Sequence, residues 1–153
     1  MIYLFKKGQV STEYLVILAV VLVIALVVVY LVGGFSGLGA GSLETQSKNY
    51  WGSTSPFAIK AFKVSGTAMD LEVANNDLDR LTITDISVDG SSIFSTSTQF
   101  SSGESKVVTG TLGTACGAAG TQFTYNNVVI TYDKGTLTGI KQTGTKPLVG
   151  KCS

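Results

Sequence analysis

The chain has 153 residues and a formal net charge of +1 at pH 7, a length that suits one domain plus an appendage. It carries no long basic run or basic-aromatic patch that would follow a phosphate backbone, so nucleic acid is excluded as an expected partner. Histidine is absent, which removes any Ser-His-Asp or Cys-His catalytic arrangement; with 18 Gly and only 2 Pro among many Ser, Thr, β-branched and aromatic residues, the body should be β-rich.

Residues Met1 to Gly8 read MIYLFKKG, a short head that ends in two lysines and a glycine. Leu15 to Val32 then gives 18 consecutive apolar residues, Tyr30 included, without a charge. As a helix this run is about 27 Å long at 1.5 Å per residue, close to the roughly 30 Å hydrocarbon core of a bilayer. An ordinary secretory signal has a shorter apolar region of about 7–15 residues followed by an A-x-A-like cleavage site. Here GGFSGLGAGS, Gly33 to Ser42, follows instead, so the apolar run is expected to stay with the chain.

The junction Lys6-Lys7-Gly8-Gln9-Val10-Ser11-Thr12-Glu13-Tyr14-Leu15 sets two cations, a glycine and one acid just ahead of the apolar run. Lys6 and Lys7 favour the cytoplasmic side, which would orient the C-terminal body outward. With KKG, then Gln9, Ser11 and Glu13 in the pattern Q-x-S-x-E, then the apolar run, the chain resembles the archaeal type IV pilins that carry a class III signal peptide. The resemblance covers roughly residues 6 to 32. It implies a prepilin-type peptidase cutting between Gly8 and Gln9, with Lys7 beside the cut. Removing the head would leave Gln9 with a free α-amino group whose reference pKa is about 8, hence mostly cationic.

Glu13 has two compatible readings. An acid in the first helical turn interacts favourably with the helix dipole, by about 0.3–1 kcal/mol. The resemblance implies a second role: the glutamate fifth after the cut pairs with the N-terminal amine of a neighbouring subunit. Such a pair at about 4 Å gains roughly 4 kcal/mol of Coulomb energy at an effective dielectric near 20, before desolvation is subtracted.

Gly33, Gly37 and Gly41 recur every four residues and would share a face if the helix runs on, letting neighbouring helix backbones approach closely. A hinge is the competing reading, since each Gly costs about 1 kcal/mol relative to Ala inside a helix. The resemblance favours a helix continuing to about Lys48.

Beyond Pro56 the pattern changes to period two. Met69, Leu71 and Val73 alternate with Asp70 and Glu72, which predicts a strand with one polar face. Leu81 to Val88 alternates with a slip at Thr84-Asp85, where a bulge is expected, and Asp89-Gly90 supplies a turn. A second slip, at Asn126-Asn127, separates Phe123 and Tyr125 from Val128, Ile130 and Tyr132, and Asp133-Lys134-Gly135 turns the chain into Leu137 to Ile140. About seven strands at this spacing suggest an antiparallel sandwich of immunoglobulin-like type. The expected fold is α+β: a signal over 1–8, an N-terminal helix over 9–48, a linker over 49–55 and a β-sandwich head over 56–153.

Cys116 and Cys152 both fall in the head. A secreted chain with an even cysteine count reads as disulfide-bonded, against the alternative of two free buried thiols. A metal site is not expected from two cysteines without histidine, and no cofactor is implied. Asp77 and Asp79 lie in NNDLDR, which lacks the spacing of an EF-hand and reads as a polar turn rather than a calcium loop. The leading expectation is a major pilin that polymerises with its own copies through its helix and supports adhesion or cell-cell contact. The alternatives are a minor pilin or membrane-anchored binding module, and an archaellin, against which the QxSxE opening argues. No catalytic constellation supports an enzyme.

Overall fold

A backbone surrounded by apolar side chains has only its own carbonyls to bond, and a helix satisfies every group within one segment. The computed structural model describes residues 2–31 and 34–153, with side chains at 11–31 and 41–153. Helix α1 (Ile2–Leu31) includes the whole described part of the apolar run. Helix α2 (Gly34–Ser53) follows. Gly33, and with it the continuity of one helix into the next, lies outside the described residues. The chain divides into two compact units, Met1–Gly41 and Ser42–Ser153.

The second unit begins with residues 42–53 of α2 and continues as ten strands: β1 (Phe57–Ser65), β2 (Ala68–Asn75), β3 (Leu81–Val88), β4 (Ser91–Phe94), β5 (Thr98–Phe100), β6 (Ser105–Thr111), β7 (Gln122–Tyr125), β8 (Val128–Lys134), β9 (Leu137–Thr143) and β10 (Leu148–Lys151). One sheet has the order β1-β2-β6 and a larger one β4-β3-β8-β9, with β5 also on β3; β10 and β7 form a separate pair. All pairings are antiparallel. The two main orders correspond to A-B-E and C′-C-F-G of an immunoglobulin-type sandwich. The fold is α+β with a β-rich head. Ten strands replace the expected seven because β4, β5 and β10 have only three or four residues each, too few for an alternation to be read.

The slip at Thr84-Asp85 is a bulge: the β3–β8 register shifts between Ile83 and Asp85. Asp89 and Gly90 turn β3 into β4 with φ of 48° and 84°, the left-handed pair of a tight hairpin. Asn126-Asn127 is where the chain leaves β7, paired with β10, and enters β8, paired with β3 and β9. The change of phase there is a change of sheet. The face buried between the sheets forms a continuous apolar cluster. Phe57 meets Phe100 and Tyr132 edge to face at 5.6 and 5.4 Å, an arrangement that adds to the area each ring removes from water.

The expected linker over 49–55 is corrected: Asn49 to Ser53 are helical, five residues beyond Lys48. Trp51 is fully buried in the head's core and Ser47 nearly so. The Ser47 hydroxyl accepts from the Val149 amide at 2.9 Å, and the Tyr50 hydroxyl accepts from the Thr145 amide at 2.9 Å. Gly144 is required opposite Trp51, because a Cβ there would overlap the indole ring. The helix ends where Thr54 donates to the Trp51 and Phe57 carbonyls at 3.0 and 2.7 Å and Lys60 donates to the Gly52 carbonyl at 2.9 Å. A cation there also complements the negative end of the helix dipole. Lys60 reaches it because the β1–β2 register slips between Ile59 and Ala61, re-aiming that side chain.

Candidate functional site at the N-terminal junction

Ser11 to Leu31 form 21 helical residues, long and apolar enough to cross a membrane, and none of that window is buried. At 1.5 Å per residue the segment spans about 32 Å, the thickness of a hydrocarbon core. Its large apolar side chains are between 42% and 83% exposed. A helix apolar on all sides demands lipid or apolar partners around its whole circumference.

Ser11 and Glu13 lie at the start of this segment and are exposed. In the full-length chain α1 begins at Ile2, so Glu13 lies well inside the helix and no acid occupies its first turn. The helix-dipole reading of Glu13 therefore fails for the precursor; a cut after Gly8 would make Glu13 the fifth residue and bring it near a helix start. The side chains of Lys7 and Gln9 lie outside the described residues, and the Gly8 position falls within α1. Gly37 and Gly41 both fall in α2, four residues apart and hence on one face. A Cβ added at Gly41 would meet nothing within 4 Å.

Comparison with known families decides what this junction is. Residues 6–32 match the family model described as class III signal peptide. That match supports a precursor of type IV pilin-like kind. No curated protein matches the chain. A class III signal implies membrane insertion and processing by a prepilin-type peptidase. With the apolar helix that follows, it fits a membrane-anchored precursor exported to the surface.

The structure joins Cys116 and Cys152 in a disulfide with Cα atoms 5.8 Å apart. The bridge ties the segment after β6 to the C-terminus, and both ends are also hydrogen-bonded into the head: Cys116 N to Gly66 O, Cys152 N to Thr121 O and Ser153 N to Val64 O, each at 2.8 Å.

In the NNDLDR turn the place a cation would take between the two carboxylates is held by the Lys134 ammonium, 3.0 Å from both Asp77 and Asp79. The hydrogen bond from Lys134 holds the Asp77 carboxyl below the ordinary carboxylate value, and the same bond raises Lys134. The pair is therefore charged at neutral pH, and the contribution of Asp77 is lost only as pH falls through its depressed value. Among the described residues no group of three or more His, Cys, Asp or Glu side chains is placed to hold a metal ion.

Sequence reading missed Ser47, Tyr50 and Trp51. The signal was present: Leu43, Ser47, Tyr50 and Trp51 follow the i, i+4, i+7, i+8 spacing of one helix face. A serine in the second place and a glycine-rich approach concealed it.

Proposed function

We propose that this chain is the major subunit of an extracellular type IV pilus-like filament of the archaeal type. The precursor inserts with Lys6 and Lys7 on the cytoplasmic side, a peptidase cuts between Gly8 and Gln9, and the helix beginning at Gln9 moves from lipid into a bundle of its own copies. Gly33, Gly37 and Gly41 serve close helix approach in that bundle. The β heads form the outer wall and meet surfaces or other cells. The observation that carries this reading is the class III signal match running directly into an apolar helix with no covered face. Such a helix is satisfied first by lipid and then by neighbouring helices, and both steps need it retained.

The deciding experiment is N-terminal sequencing and electron microscopy of material sheared from cells. A regular fibre whose subunit begins at Gln9 is the expected result. Secreted chain lacking residues 15–32 would end the reading, since no apolar core would remain to polymerise.

Glu13 tests assembly separately from insertion. Removing one partner of a desolvated ion pair leaves the other charge buried and unpaired, so Glu13→Ala should lower filament yield about tenfold or more, the equivalent of about 1.4 kcal/mol per contact. The amount of processed chain in the membrane should be unchanged. Equal filament yield from wild type and variant would remove the proposed pairing with the Gln9 amine.

A further inference from the structure

The C-terminal strand has little backbone pairing to hold it. Among the described residues β10 pairs with β7 alone, and the two form a ribbon of four residues on four outside both larger sheets. A two-stranded ribbon by itself is marginal in water. Gly150 lets its backbone approach two aromatic rings, since a Cβ there would stand 2.6 Å from Phe62 and 2.8 Å from Phe123. The segment enters at Gly144, whose amide donates to the Val128 carbonyl at 3.0 Å. It ends at Cys152, bonded to Cys116 across a separation of 36 residues.

The same segment is the seat of α2. Ser47, Tyr50 and Trp51 all meet it: Ser47 accepts from the Val149 amide, Tyr50 accepts from the Thr145 amide, and the Trp51 ring lies against Gly144. The Trp51 indole N–H is buried without a hydrogen-bond partner, a cost that only the docked state carries. With five glycines among its 20 residues, α2 is weak by propensity, so its C-terminal turns depend on packing. The seat, in turn, is a marginal ribbon fastened at its far end by the bridge.

We propose that the Cys116–Cys152 bridge governs the docking of α2 on the head. With the bridge closed, residues 144–152 are a fixed seat and residues 47–53 belong to the core; with it open, segment and helix leave the core together. Cys152 is 4% exposed, whereas Cys116 is partly exposed in the segment after β6, so a dithiol reductant attacks at Cys116. Its thiolate bonds to the Cys116 sulfur, the bond to Cys152 breaks, and Cys152 leaves as a thiolate that takes up a proton. The second thiol of the reductant then displaces Cys116, which leaves a cyclic disulfide and two protein thiols, two electrons having passed from dithiol to bridge. The reverse exchange with an oxidised dithiol closes the bridge, and such oxidants act outside a reducing cytoplasm. The coupling is mutual: whatever favours docking of α2 favours the closed bridge by the same factor.

The test is amide hydrogen exchange of the detergent-solubilised full-length chain before and after reduction with dithiothreitol. Exchange over residues 47–53, 122–125 and 144–152 should rise about a hundredfold, while the amides of β3 and β8 keep their protection. An equal rise in β3 and β8 would overturn the proposal, since the bridge would then act on the whole head. Unchanged protection of residues 47–53 would overturn it as well. A second measurement reads the coupling from the other side. Ser47→Ala removes the acceptor of the Val149 amide and should shift the equilibrium between bridge and dithiol about tenfold toward the thiols. Asn49→Ala, on the exposed face of the same helix, should leave that equilibrium in place. An unshifted equilibrium in Ser47→Ala would also overturn the coupling. Neither readout requires a filament, so both stand apart from the fate of the proposed function.

Discussion

Gly8→Trp is expected to abolish filaments while leaving full-length precursor in the membrane. The apolar segment Ser11–Leu31 is untouched by this change, so insertion should proceed, and the positive head Lys6-Lys7 should still orient the chain. What fails is the cut. Without it the α-amino group of Gln9 does not exist, and two lysines remain attached to a helix that, in the proposed filament, enters an apolar bundle. Each charge carried into hydrocarbon-like surroundings costs several kcal/mol, so the effect is all-or-none rather than graded. The measurement is the apparent mass of the membrane-bound chain together with electron microscopy of the cell surface. Full-length precursor without fibres is the expected pair of results; fibres of normal length built from uncut chain would refute the role of Gly8.

The second large effect concerns the head alone. Replacing Cys116 and Cys152 together by serine removes a bridge that closes a separation of 36 residues, worth about 3–4 kcal/mol by restriction of the unfolded chain. In a domain of this size the midpoint of thermal unfolding should fall by on the order of 15 °C. The loss falls on the C-terminus, where Cys152 and Ser153 bond to Thr121 and Val64, so β10 and its partner β7 should open first. Near-ultraviolet dichroism of the buried Trp51 in detergent-solubilised full-length chain reads the transition. A midpoint unchanged within a few degrees would mean that the hydrogen bonds of the C-terminal segment hold it without the bridge.

The N-terminal third declares itself in one dimension. Eighteen uncharged apolar residues in a row force a helix through backbone hydrogen bonding alone, and a signal peptide is a linear pattern, so the class III match over residues 6–32 needed no tertiary information to be noticed. The bulge at Thr84-Asp85 and the turn at Asp89-Gly90 were equally legible, because each violates or ends a period-two pattern within a few residues. Their effects are local, and so is the signal.

Contacts distant in sequence decided the remainder. Trp51 belongs to the core of the head although LETQSKNYWGST resembles a linker: the energy comes from burying an indole against Gly144 and from Ser47 meeting Val149, partners roughly a hundred residues away. Asn126-Asn127 marks a change of sheet, a fact that exists only once β10 has come back to pair with β7. The firmness of the NNDLDR turn is inconspicuous until Asn75, Ser102 and Lys134 converge to brace it. Composition, hydropathy and short-range spacing determined the anchor, its processing signal and the β character of the body. Which residues became core or brace was settled by tertiary structure, because burial and long-range hydrogen bonding are properties of the folded chain rather than of neighbouring residues.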